Sequence, residues 1–172
     1  MKILRLLKIR SVLTIIFFAF CMKTYALGIG PQIEINTGVN FYDDFLMQTG
    51  AACSIKFDNE PVVIAVSTDY DIMMNRFDAL CTVDYWLVNP PINDFCSFFV
   101  GIGAGYGIEA WKTDFTLNSV KRIVFGFNWI YLDGFMEPFI QLAIQQNSFV
   151  NANFNTDTTF TFPVSSGIRF YF

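Results

Sequence analysis

From Ile29 to Phe41 the chain alternates between two kinds of position. Ile29, Pro31, Ile33, Ile35, Val39 and Phe41 fall on one side. Gly30, Gln32, Glu34, Asn36, Gly38 and Asn40 fall on the other, with Thr37 the single lapse. A period of two is that of a β-strand with one apolar and one polar face. The run is long for a soluble strand, where ~5–6 residues is usual, and long enough for a tilted strand that crosses a bilayer, which needs ~9–11.

Seven more segments repeat the pattern: 47–57, 62–70, 79–88, 96–109, 121–131, 137 to about 148, and 159–172. Tight turns are predicted at Asp58-Asn59-Glu60-Pro61, at Asn89-Pro90-Pro91-Ile92-Asn93-Asp94 and from Leu132-Asp133-Gly134. Longer polar connections are predicted over 71–78, 110–120 and 149–158. Long amphipathic strands with alternating short and longer connections predict an all-β fold, an eight-stranded antiparallel transmembrane up-and-down β-barrel.

The fifth segment holds "FVGIGAGYGIE". Gly101, Gly103, Gly105 and Gly107 occupy alternate positions, opposite Val100, Ile102, Ala104, Tyr106 and Ile108. A dinucleotide loop needs G-x-G-x-x-G opening a helix, and the spacing here is strictly two. On a strand that spacing puts all four glycines on one face. Pointing into a narrow barrel, they leave room for bulky partners such as Phe99 or Trp86.

Composition bears on the membrane question. The chain is 172 residues long and 53% hydrophobic, with 21 Phe. Beyond the N-terminus, its longest apolar stretch without charge is Phe95–Ile108, too short and too rich in Gly for a spanning helix. The N-terminus differs. Lys2, Arg5, Lys8 and Arg10 precede the apolar run 12–20, and Thr24-Tyr25-Ala26 follows. Residues 1–26 read as a cleaved secretory signal peptide, and residues 27–172 as the barrel domain. A lipoprotein signal at Cys21 is the alternative, disfavoured by Phe20 before it.

Cleavage after Ala26 leaves six basic residues against fifteen acidic ones, a net charge of −9. This disfavours nucleic acid as a partner. Cys53, Cys81 and Cys96 remain, an odd number. The chain has no His, so imidazole metal sites and Ser-His or Cys-His nucleophiles are excluded. Asp69, Asp84 and Glu109 lack a nucleophile placed by a motif. No enzyme activity, catalytic residue, cofactor or metal site is predicted.

The C-terminus, Ser166-Gly167-Ile168-Arg169-Phe170-Tyr171-Phe172, has the form of an outer-membrane assembly signal. With "VGIGAGYG" and "GFMEPFIQ", it makes residues 27–172 resemble the small eight-stranded outer-membrane barrels of the OmpA, OmpX and OmpW type. The resemblance implies export to the outer membrane of a diderm bacterium. It also implies transient recognition of Gly167, Phe170 and Phe172 by the barrel-assembly machinery. No peptidoglycan-binding domain follows the barrel pattern, so a wall-tethering role is not implied.

In such a barrel the aromatics gather at two interfaces. Phe57, Tyr85, Phe98, Trp129, Tyr131, Phe170 and Phe172 fall near one end, and Phe41, Tyr70, Tyr106, Phe160 and Phe162 near the other. Cys53 and Cys81 face lipid. The alternation sends Glu34, Lys56, Asp69, Asp84, Glu109, Arg122 and Arg169 inward. Buried charges need partners, so a lumen network is predicted, joined by Gln32, Gln141 and Asn128. It makes a plug in a structural or surface-interaction protein. The alternatives are a narrow pore, an OmpW-like channel for small or hydrophobic solutes, and a soluble lipocalin-like barrel with its faces reversed. Outer-membrane lipids are the expected surroundings. Trp111, Lys112, Phe115 and Phe154 are candidates for contact with an extracellular ligand at the loops.

Overall fold

The computed structural model describes residues 27–40, 45–58, 60–71, 75–111, 114–150 and 156–172. The predicted signal peptide, Phe41, Lys112 and Phe154 lie outside these residues. Eight strands follow in chain order: β1 (Leu27–Asn40), β2 (Phe45–Phe57), β3 (Val62–Asp71), β4 (Arg76–Val88), β5 (Cys96–Trp111), β6 (Asp114–Trp129), β7 (Met136–Val150) and β8 (Thr156–Tyr171). No helix occurs among the described residues. Each strand pairs antiparallel with the next, and β8 returns to β1, so the sheet closes into a barrel. At the seam Leu27 N donates to Phe172 O and Phe172 N to Leu27 O, both at 3.3 Å. Closure leaves no unpaired edge in a solvent without hydrogen-bonding partners. This is the eight-stranded antiparallel transmembrane barrel that the periodicity predicts.

The faces are sorted in the membrane sense. Ile33, Val66, Val83, Ile102, Ile123 and Ile144 are exposed on the outside. Gln32, Lys56, Asp84, Arg122, Gln141 and Arg169 are buried inside. A lipocalin-like barrel carries the reverse arrangement, so the soluble alternative fails on this observation. One outward position on the strands carries a charge. Lys121 is exposed on β6, opposite Gln146 of β7 and between Ser119 and Ile123 on its own strand. Its long stem lets the ammonium reach a headgroup layer while the methylenes stay with lipid.

The connections differ from prediction. Half or more of each of the three expected long loops is strand. β4 begins at Arg76 and β6 at Asp114, and β7 and β8 run into the predicted third loop. Only 41–44, 72–75, 112–113 and 151–155 lie between strands at that end. The β5–β6 hairpin pairs from Cys96↔Trp129 to Trp111↔Asp114. With 16 residues in each strand, a rise of ~3.3 Å per residue and a tilt of ~40°, it stands ~40 Å tall, more than the ~25 Å apolar band of such barrels.

The opposite, turn end is built from local chemistry. Leu132, Asp133 and Gly134 adopt positive φ values of 54°, 55° and 91° in the β6–β7 turn, where Gly134 is at no steric cost. Before β5, Asn93 Oδ1 accepts from the amides of Phe95 (3.0 Å) and Cys96 (2.8 Å), fixing the strand's start. Aromatics collect around this rim. Phe127 packs near Phe98 and Trp129, and Phe135 near Phe170 and Phe172.

Candidate functional site in the barrel lumen

The four glycines of β5 face inward, and the register shows what each makes possible. Trp86, Asp84, Thr82 and Leu80 of β4 lie opposite Gly101, Gly103, Gly105 and Gly107. On the other side the same glycines lie opposite Val124, Arg122, Val120 and Asn118 of β6. Each bare position is flanked by two inward side chains, which meet above Gly101 and Gly103. At Gly103 a Cβ would stand 2.0 Å from Asp84 Oδ1. The glycines are therefore steric relief, as the spacing suggests. They let β4 and β6 touch across β5.

Arg122 and Asp84 use that gap. Arg122 Nε donates to Asp84 Oδ1 at 2.7 Å and Nη2 to Oδ2 at 2.5 Å, a bidentate pair buried on both sides. Beside it Trp86 and Phe99 stack with centroids 4.0 Å apart and planes 7° from parallel. Val63, Val124 and Ala143 complete a small apolar cluster with them. Phe99 in turn lies over Gly126, where a Cβ would come within 2.8 Å of its ring.

A second cluster occupies the turn-end side of the lumen. Glu137 accepts from Lys56 Nζ at 3.1 Å, from Arg169 Nη1 at 2.9 Å and from the Tyr171 hydroxyl. Lys56 Nζ also donates to Tyr171 Oη at 2.9 Å, and Arg169 Nε to Ser54 Oγ at 3.0 Å. The Arg169 guanidinium lies 3.8 Å from the Phe139 ring centroid, and Lys56 Nζ lies 5.2 Å from that of Trp86. Glu34 is buried on the same wall, within electrostatic range of Arg122 and Asp84. This half of the lumen sets Lys56, Arg122 and Arg169 against Glu34, Asp84 and Glu137. Its formal charges balance.

The loop-end half is different. Arg76 Nη1 reaches Glu109 Oε1 at 3.0 Å. Gln48 bridges, donating to Asp78 Oδ2 at 2.6 Å and accepting from Asn36 Nδ2 at 3.3 Å. An amide chain runs from Gln145 Nε2 to Asn147 Oδ1 (2.8 Å) and from Asn147 Nδ2 to Thr161 Oγ1 (2.9 Å). Asp69 and Asp71 are buried here as well. Four carboxylates thus share this half with the cation Arg76.

The predicted lumen residues all lie on the inner wall, but in two groups rather than one. Lys56, Asp84, Arg122, Arg169 and Glu34 belong to the balanced half, and Asp69 and Glu109 to the acidic half. Hydrogen bonds of the network pass through Ser54, Tyr171 and Gln48. Gln32, Gln141 and Asn128 are buried on the same wall, and Asn128 Oδ1 has no partner. Sequence reasoning missed Glu137, the hub, although its odd number places it on the polar face with Gln141. It missed Arg76 and Asp78 because they fell in a predicted loop. Gly167 lies between Gln32 and Phe139 in register, while Phe170 and Phe172 sit on the aromatic rim beside Phe135. Cys53 and Cys81 are exposed on the outer face as free thiols. Phe115 is exposed on β6.

No family model matches the chain, and no curated protein does. Among solved structures it is similar to Neisserial surface protein A (NspA), with TM-score 0.59 and 8% identity over 85% of this chain and 97% of that one. Ail, the attachment invasion locus protein of Yersinia pestis, also aligns, with TM-score 0.39 and 10% identity over 86% of this chain and 99% of that one. The chain has the fold of the small eight-stranded outer-membrane β-barrels.

Proposed function

We propose that this protein is an integral outer-membrane barrel, closed by its own side chains, whose work is structural or lies at its exposed rim. The carrying observation is the filled cross-section: the Trp86–Phe99 stack, the Asp84–Arg122 pair and the Glu137 hub occupy the turn-end half together. A narrow barrel interior has room for side chains and little else. The apolar outer face, the aromatic rim and the shared fold with NspA support the membrane setting. Gly167, Phe170 and Phe172 serve as the signal read by the assembly machinery, and residues 1–26 as the leader removed on export. The termini of the described strands and the turns then face the periplasm, and the tall β5–β6 hairpin faces outward. Tyr106, Ile108, Phe115 and Leu117, all exposed, make that hairpin the apolar surface offered to the outer leaflet or a ligand.

The test is single-channel recording on the folded protein in a planar bilayer, with folding first checked by heat-sensitive gel mobility. A silent bilayer is expected. Steady conductance altered by Arg122→Ala would replace the plug with a pore. Protease cleavage of intact cells at residues 112–113 checks the orientation.

A further inference from the structure

The acidic half of the lumen holds a cavity lined by Asn36, Asp69, Asp78, Asn118, Gln145 and Arg76, among others. The space open to the centre of a water-sized sphere is about 20 Å³, and one such sphere needs ~10–15 Å³. It suits a single small occupant, not a solute. Five oxygens at its wall lack a hydrogen-bond partner: Asn36 Oδ1, Asp69 Oδ1, Asp78 Oδ1, Asn118 Oδ1 and Gln145 Oε1. Four of these residues are more than nine-tenths shielded, with exposures of 6% for Asn36, 4% for Asp69, 9% for Asn118 and 3% for Gln145.

Acceptors dominate the wall. Each amide nitrogen already makes one hydrogen bond: Asn36 Nδ2 on Gln48 (3.3 Å), Asn118 Nδ2 on Asn147 (3.4 Å) and Gln145 Nε2 on Asn147 (2.8 Å). The unpartnered atoms of the lining are these five oxygens and one donor, Arg76 Nε, whose guanidinium is held by Glu109. Asp78 spends one oxygen on Gln48 and keeps the other. Charge points the same way. With the carboxylates ionised, the lining residues Asp69 and Asp78, together with the Arg76–Glu109 pair beside them, carry a formal charge of −2, which is costly in a closed lumen.

We infer that this cavity binds one hard divalent cation of the calcium class through mixed carboxylate and amide oxygens. Such ions take 6–8 oxygen ligands, with water completing the shell. Among the described residues no three or more Asp, Glu, Cys or His side chains gather to ligate by themselves, so the amides are essential to the site. A sulfur- and imidazole-free wall of this kind disfavours zinc and copper. The bound ion would tie β1, β3, β4, β6 and β7 together at the loop end, where the ion pairs of the other half do not reach.

The experiment uses the protein purified in detergent, stripped with EDTA and titrated calorimetrically with CaCl₂, with MgCl₂ and KCl alongside. The expected result is a single Ca²⁺ per barrel and a higher unfolding temperature in calcium than in EDTA. Asp69→Asn and Asp78→Asn should each weaken binding by about tenfold or more. Asp58→Asn, in an exposed turn at the opposite end, should leave it unchanged. No binding by the folded wild-type barrel overturns the inference, and so does binding that both variants retain. If neither variant folds, crystals of the wild-type protein grown with Tb³⁺ decide by anomalous scattering. A peak within this cavity supports the site, and its absence there overturns it.

Discussion

Asp84 and Arg122 form a bidentate pair across a strand to which neither belongs. Both lie opposite Gly103 in register, one on each side, and their side chains close over its bare backbone. Gly103→Ala puts a methyl group where Asp84 Oδ1 stands. The pair must open, and breaking a buried pair costs about 3–5 kcal/mol. Urea unfolding of the folded barrel should show a loss of that order. In an Asp84→Leu/Arg122→Met background the same glycine substitution should cost much less. Equal costs in the two backgrounds would place the strain elsewhere.

Glu137 is the only carboxylate touching both Lys56 and Arg169 among the described residues. Glu137→Gln keeps the shape and removes the charge. Two buried cations then face each other without a counter-charge, with an expected loss of about 3–5 kcal/mol. Glu60→Gln, at an exposed turn position, should change stability by less than about 0.5 kcal/mol. Comparing the two unfolding curves isolates the hub from a general effect of net charge.

Phe99 is fully buried against Trp86 and has the floor of Gly126 beneath it. Phe99→Ala should cost about 3–5 kcal/mol and leave a gap in the plug. Bilayer recording should then show openings that the wild-type barrel lacks. A variant that is destabilised yet silent would mean that the ion pairs alone seal the lumen.

Cys53 and Cys81 stand among lipid-facing residues, Cys53 between Ala51 and Ile55 and Cys81 between Ala79 and Val83. In membranes, a lipid-soluble maleimide should label both, and a charged, impermeant one should label neither. Labelling of both by the impermeant reagent would contradict the membrane placement. After transfer to urea both reagents should react.

Eight strands and the sense of their faces were legible because lipid enforces the alternation. Wherever the outer face meets hydrocarbon, outward positions are apolar and the period of two is plain. The rule lapses toward the loop end. At Ser119 and Val120 the outward residue is polar and the inward one apolar, so β6 reads as a loop although the ladder continues to Asp114. Arg76 and Asp78 were read as part of a connection although Phe77 between them continues the outward apolar face of β4. The charge network was legible as a set of inward residues but not as pairs. Pairing depends on which strands approach across the lumen, and alternation along one strand says nothing about its partners.

The glycine-bridged wall has a consequence for how such a chain tolerates change. Side chains meet across the intervening strand, β4 with β6 over β5. The same spacing sets Glu34 of β1 and Asp69 of β3 on either side of Gly50 of β2. Compensating substitutions at the glycine-bridged interior positions should therefore link strands two apart, beside the neighbouring-strand links of pairs such as Arg169 with Glu137. A reader inferring strand order from the Asp84–Arg122 pair alone would place β4 beside β6 and lose β5 altogether.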